Sequence, residues 1–240
     1  MALKALALAG VLALATALAA CGDDDGNNST TSTAKQAQPL PDSADRPAAL
    51  ISGETFETGI FEPKVSLTVP AGKWETAAPE TPTSLSLRLK AAPPTENAVI
   101  SLVRPPKVFD PQRGGKSAED TEDPPPDFVE WLADHPRLRA TPPRLAQAGG
   151  LEGRQLDVTV ASTPPRMPPQ CSREPCLPLF VDAPDGEPVV FAKGDRIRYV
   201  VLDGPKGQVL AELYVSPGSR FKAVVPKLER ALESMRFSGT

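Results

Sequence analysis

The segment RIRYVVLDGPKGQVLAELYV, residues 196–215, is the part of the sequence that most directly specifies a fold. Apolar side chains occupy every second position in both halves, which is the period of a strand with one buried face. The two halves are joined by DGPKG, residues 203–207, a short loop rich in turn-forming residues. The segment therefore predicts an antiparallel hairpin, and with it an antiparallel sheet.

Other segments supply strands and helices to pack around this hairpin. The predicted strands are VSLTV (65–69), SLSLRL (84–89), AVISLV (98–103), QLDVTV (155–160) and part of ETFETGIFE (54–62). Apolar residues at spacings of three and four predict helices in DFVEWLADH (127–135) and in FKAVVPKLERALESM (221–235). Pro226 should kink or restart the second helix. The predicted fold class is α+β, an antiparallel sheet packed by helices, in a single domain over residues 50–240.

Two long segments interrupt this pattern. Residues 104–127 and 161–188 are rich in proline and have no core periodicity, so both are predicted to be loops. Loops of this length in a compact domain are commonly functional or disordered.

The order of elements resembles a known family. The opening strand that runs into LTVPAGKWE, the segment GGLEGRQLDVTV, the hairpin and the final amphipathic helix ending in LESMRF are together similar to the Mog1/PsbP-like fold of small bacterial lipoproteins. The resemblance implies an antiparallel sheet sandwiched by helices, with the residues after the last helix pairing back near the core. It also implies an accessory, scaffolding or binding role.

The first twenty residues have the plan of an export signal. MALK supplies one positive charge, and ALALAGVLALATALAA is a short apolar run that ends in small residues. At sixteen residues the run is marginal for crossing a bilayer, which takes about 20. Residues 1–20 are therefore predicted to be a cleaved signal peptide.

The signal ends in a four-residue motif. Leu18, Ala19, Ala20 and Cys21 resemble the lipobox of bacterial lipoproteins. The resemblance implies that the thiol of Cys21 receives a diacylglyceryl group and that the chain is cut before this residue. It predicts a protein anchored in the bacterial cell membrane on the extracytoplasmic side, since two or more acyl chains hold a protein stably on a bilayer.

Residues 21–49 are polar, small and proline-containing, and they are predicted to form a flexible tether after the lipidated cysteine. The chain has a net charge of −4, and removal of residues 1–20 takes away Lys4 and no acid, which leaves −5. This acidic balance argues against nucleic acid as a partner, because nucleic acid selects clustered Lys and Arg.

The chain has three cysteines, an odd number, and assigning Cys21 to the lipid leaves two that can pair. Cys171 and Cys176 in QCSREPCLP are then predicted to form a disulfide, since export places them where disulfides persist. A soft-metal or redox pair is the alternative. The spacing is not C-x-x-C and no histidine lies nearby in sequence.

Candidate catalytic residues are few. His135, the single histidine, stands at a predicted helix end, where it is expected to meet the last carbonyls and the helix dipole. The acidic pairs Glu119–Asp120 and Glu122–Asp123 and the run DDDG (23–26) are interpreted as solvated charge. Gly149, Gly150 and Gly153 indicate a turn entering a strand, and Trp74 and Trp131 are expected to anchor the core. The sequence predicts no catalytic residue, metal site or cofactor.

The leading functional hypothesis is a non-catalytic binding or scaffold module for a protein partner in the envelope. The alternative is a carrier or sensor of a small apolar or lipidic ligand held between sheet and helices. A hydrolase is the least favoured reading, since no G-x-S-x-G motif marks a nucleophile.

Overall fold

The computed structural model of the protein describes residues 36–42, 46–90, 97–113, 120–164, 171, 175–182 and 186–238. These residues belong to one folded unit that spans Lys35–Thr240. The unit is α+β, as predicted, with three sheets and two α-helices among its described residues.

The central sheet contains nine strands, and every pairing in it is antiparallel. In chain order these strands are β2 (Ala49–Leu50), β5 (Trp74–Thr76), β6 (Ser84–Leu89), β7 (Asn97–Val103), β10 (Leu138–Ala140), β11 (Arg144–Ala148), β12 (Leu151–Val160), β15 (Arg196–Gly204) and β16 (Gly207–Ser216). Their order across the sheet is β10-β12-β15-β16-β7-β6-β5-β2, and β11 also pairs with β12.

The opening segment forms the predicted hairpin at the centre of this sheet. Strands β15 and β16 pair from Arg196 opposite Val215 to Gly204 opposite Gly207. Each gains a further antiparallel neighbour, β12 on one side and β7 on the other. The alternating segment therefore lies inside the sheet, with β12, β10 and β11 on the β15 side and β7, β6, β5 and β2 on the β16 side.

The glycines of AGGLEG serve a second hairpin. Gly149 and Gly150 have φ values of +62° and +89°, which a tight two-residue turn between β11 and β12 demands and which most side chains resist. Gly153 lies within β12, where a Cβ would come within 2.0 Å of the carbonyl oxygen of Val201. The predicted turn is confirmed, and the strand β11 before it is an addition.

One face of the central sheet is covered by the long helix α2 (Phe221–Glu233) and a small sheet. That sheet has the order β1-β3-β4-β17 and is made of β1 (Gln38–Pro39), β3 (Thr55–Glu57), β4 (Val65–Thr68) and β17 (Met235–Phe237). The helix buries the predicted stripe from Phe221 to Leu232 in one core cluster with this sheet. It runs through Pro226 without interruption, so the expected restart at that residue does not occur.

The other face is covered by the short helix α1 (Phe128–Asp134) and a third sheet. This sheet has the order β14-β13-β8-β9 and consists of β8 (Lys107–Phe109), β9 (Thr121–Glu122), β13 (Cys176–Val181) and β14 (Pro188–Ala192). Its apolar side chains and those of α1 form a second core cluster with the central sheet. The central sheet is thus buried on both faces.

The third sheet corrects the prediction that residues 104–127 and 161–188 are long loops. Val108, Leu179 and Phe180 within them are fully buried. The sequence signal failed because the run CLPLFV contains Pro178 and is buried on both sides, so it has no alternation to detect.

The folded unit also begins earlier than the predicted boundary at residue 50. Strand β1 pairs parallel with β3, at Gln38 opposite Phe56, and Leu40 packs against the first core cluster. Only two or three residues take part at each place, which is too short for a periodic pattern. In ETFETGIFE the strand is limited to Thr55–Glu57.

Candidate binding clefts

A proline segment, Pro124–Pro126, lies between β9, an edge strand of the third sheet, and helix α1. The helix begins after Asp127, whose carboxylate accepts hydrogen bonds from the backbone N–H of Val129 at 3.0 Å and of Glu130 at 3.1 Å. Arg154 of β12 pairs with Glu130 at 2.8 Å and also with Asp127. The start of the helix and the prolines before it are therefore tied to the central sheet.

A first cleft of about 510 Å³, here called the proline cleft, lies beside this segment. It is lined mainly by apolar residues: Pro105, Pro106, Pro124, Pro125, Pro126 and Phe128. Thr83 and Arg104, with Gly207 and Gln208 of the central hairpin, also line this cleft. Arg104 fixes this part of the cleft, because its guanidinium donates to the carbonyl oxygen of Lys206 in the hairpin loop.

A second cleft of about 650 Å³, here called the acidic cleft, shares Pro125 and Pro126 with the first. Its other apolar residues are Trp131, Pro111 and Pro136. Five carboxylates also line it, at Asp110, Glu122, Asp127, Glu130 and Asp134. Glu130 and Asp134 are four residues apart, so they follow one another on one face of α1.

Only part of this negative charge is neutralised by neighbouring groups. Arg113 pairs with Asp110 at 3.1 Å, and Arg154 serves Asp127 and Glu130. Glu122 and Asp134 make no ion pair with any residue that the structure describes. The cleft therefore combines apolar side chains with carboxylates that no described cation neutralises.

His135 directly follows α1, as predicted, but it does not cap the helix as a cation. Its ring is buried, and Nδ1 accepts a hydrogen bond from the backbone N–H of Arg137 at 3.2 Å. Burial, assisted by the charge of Arg137, lowers the pKa of His135 to about 4. The imidazole is neutral at ordinary pH, so the expected interaction with the helix dipole is wrong.

The two tryptophans have different surroundings. Trp74 is buried in the first core cluster, as expected. Trp131 is only partly buried and lines the acidic cleft, with its ring edge-on to Phe128 at 5.8 Å and to His135 at 5.2 Å between centroids. The prediction that Trp131 is a core anchor therefore holds in part, since the side chain packs against the second core cluster and also lines the acidic cleft.

The disulfide between Cys171 and Cys176 is confirmed. The two Cα atoms lie 5.6 Å apart, and both residues are buried. Cys176 is the first residue of β13, and its backbone N–H donates to Sγ of Cys171. The bridge therefore holds the chain at the point where it enters the third sheet.

A buried acid in the central sheet was not anticipated from the sequence. Glu212 of β16 is buried, and the hydroxyl of Tyr199, which belongs to the second core cluster on the neighbouring strand, donates to its Oε2 at 3.1 Å. Burial raises the pKa of Glu212 to about 7, and this hydrogen bond opposes the rise. Burial also raises the pKa of Tyr199 well above its ordinary value. Glu212 lies between the alternating apolar residues Ala211 and Leu213, so the sequence pattern alone does not mark it as buried.

The other predicted residues are dispersed. Asp123 is exposed and pairs with Lys107 at 2.6 Å, which lowers its pKa. Cys21, the lipobox, the run DDDG and Glu119 lie outside the described residues. Within the described ranges, no three His, Cys, Asp or Glu side chains are placed to hold a metal ion. None of the helices described there has the length and apolar character to cross a bilayer.

Comparison with known proteins adds no relative. No protein-family model, curated protein or solved structure matches this chain.

Proposed function

We propose that this chain is a lipoprotein, anchored by Cys21 on the extracytoplasmic side of a bacterial membrane, whose folded unit binds a protein partner in the cell envelope. The observation that carries the binding role is the pair of adjoining clefts along Pro124–Pro126. Their volumes, about 510 and 650 Å³, fall in the range of ordinary binding sites. Both are open at the surface, where a segment of another protein can enter.

The packing between the central sheet and α2 favours the binding of a protein partner over the carrying of a small apolar ligand. Leu213 on the sheet and Leu228 and Ala231 on the helix have no exposed surface. A carrier needs an apolar cavity between sheet and helix, whereas these side chains fill that space.

The resemblance to the Mog1/PsbP-like fold stays part of the proposal. It is supported by β17, which follows α2 and pairs back with β4, and by the antiparallel central sheet. The third sheet on the face opposite α2 departs from the sheet and helices that the resemblance implies.

Two measurements in cells that produce the full chain test this function. The wild-type chain is expected in the membrane fraction and a Cys21→Ser variant in the soluble extracytoplasmic fraction. An unchanged distribution would overturn the anchor. Amine-reactive cross-linking in intact cells should then yield a discrete adduct between the wild-type chain and an envelope protein, and recovery of uncross-linked monomer alone would overturn the partner.

A further inference from the structure

We infer that the proline cleft and the acidic cleft form one docking site for an extended, basic segment of the partner protein. In this arrangement an apolar or proline residue of the segment packs in the proline cleft, and an Arg or Lys enters the acidic cleft. The inference rests on the proposed function, because it names the chemistry of the partner that the folded unit binds.

Shared residues make the two clefts neighbours. Pro125 and Pro126 line both of them, so a peptide that leaves one cleft enters the other across a wall two residues wide. Two adjoining clefts suit an extended peptide, because its consecutive side chains can fill separate pockets.

Charge complementarity selects the sign of the occupant. Among the described residues that line the acidic cleft, five carry carboxylates and none is Lys or Arg, and the two neighbouring guanidiniums of Arg113 and Arg154 offset only part of that charge. His135 contributes no positive charge above a pH of about 4, because its pKa is lowered to about that value. The excess of three negative charges favours a cationic segment and repels an acidic one.

The apolar part of the acidic cleft favours Arg or Lys within a peptide over a small free cation. Trp131 offers an aromatic surface on which a guanidinium stacks, while the aliphatic stem of the same side chain packs against Pro125 or Pro136. The carboxylates of Glu122 and Asp134, which form no ion pair with a described residue, remain available to bind the charged head. Such sites combine burial of apolar surface with charge-assisted hydrogen bonds.

The site is also held in place before a partner arrives. Asp127 caps α1, Arg154 ties the helix to β12, and Arg104 ties the proline cleft to the central hairpin. A rigid site loses little conformational entropy on binding, which improves affinity for a flexible segment.

The test uses the detergent-solubilised full chain on an array of random twelve-residue peptides. The bound peptides are expected to be enriched in Arg and Lys relative to the whole array. The variant Glu122→Lys/Asp134→Lys should lose this enrichment. The matched control Glu57→Lys/Glu233→Lys, with the same change of charge on exposed residues of β3 and α2, should keep it.

A fluorescence titration then locates the binding. In a Trp74→Phe background, Trp131 is the remaining tryptophan, so the strongest basic peptide from the array should change the emission of a residue inside the acidic cleft. The double Lys variant should weaken binding by about tenfold or more, and added salt should weaken binding to the wild type.

The outcomes separate this inference from the proposed function. No basic enrichment, or equal binding by the cleft variant and its control, would overturn the docking site, while a cross-linked envelope partner in cells would leave the proposed function standing. Absence of that adduct would instead overturn the proposed function, and the inference that rests on it.

Discussion

Glu212 combines a carboxyl group with an apolar environment, and its protonation should therefore affect stability. In the unfolded chain the carboxyl has its ordinary pKa of 4.5, and in the folded protein the pKa is raised to about 7 by burial. Between these values the folded state holds a proton that the unfolded state has released. Stability should therefore fall as pH rises through this window and change no further above it.

A Glu212→Gln substitution should remove this dependence. Glutamine resembles the protonated acid and can still accept the hydrogen bond from Tyr199. As pH rises from 4.5 to 7.5, the free energy of unfolding of the variant should therefore increase by about 3 kcal/mol relative to that of the wild type. Urea denaturation across this pH range measures the difference. Glu233→Gln, at an exposed position near the end of α2, controls for loss of a charge, and parallel pH curves for wild type and Glu212→Gln would contradict the expectation.

The burial of a side chain could not be predicted where a segment distant in sequence covers it. Glu212 occupies the polar position of an alternating strand, which indicates exposure until another layer covers that face. His135 follows its helix as expected, but its ring is buried and its pKa is lowered to about 4, so it carries no charge to interact with the dipole. By contrast, Gly149 and Gly150 were readable because their positive φ values depend on local backbone geometry alone.

At the level of elements, the disulfide links Cys171 to the first strand residue of β13 in the third sheet. Its ring closes over residues 171–176 and ends at the first residue of β13. The chain-entropy account gives a ring of this size about 2 kcal/mol of stabilisation, through restriction of the unfolded chain.

Replacing both cysteines, as Cys171→Ser/Cys176→Ser, should lower the free energy of unfolding by about 2 kcal/mol. Hydrogen exchange should accelerate most in β13 and β14, whose pairing begins at Cys176 opposite Ala192. A reductant should lower the stability of the wild type and leave the variant unchanged. A wild type insensitive to reductant would contradict a stabilising bridge.

The elements that could be predicted are those with a regular buried stripe. The hairpin of β15 and β16 and the stripe of α2 follow from periods of two and of three to four residues, which are the spacings of side chains on one face of a strand and of a helix. The third sheet has no such stripe, because its strands are short, contain proline and are buried by contacts distant in sequence. The clefts were missed for the same reason, since they form between Pro124–Pro126, α1 and the tip of the central hairpin.

For the whole molecule, the close packing between the central sheet and α2 predicts that no apolar ligand is bound there. Native mass spectrometry of the full chain, released from detergent, should give a mass with no adduct beyond the chain and the lipid that we propose on Cys21. The reason is that the described side chains Leu213, Leu228 and Ala231 of this interface have no exposed surface that an apolar ligand could contact. An additional non-covalent mass that survives gentle ionisation and disappears on denaturation would favour the carrier function instead.

The sequence by itself determined the α+β class, the central hairpin, the amphipathic stripe of α2 and the pairing of Cys171 with Cys176. These depend on short-range patterns, on turn chemistry and on cysteine count. The tertiary structure alone decided that the central sheet is covered on both faces, that Glu212 is buried, and that an acidic and a proline-lined cleft adjoin. Those features arise from contacts between segments far apart in the chain, such as Arg104 with Lys206 and Arg154 with Asp127, and no local period records them.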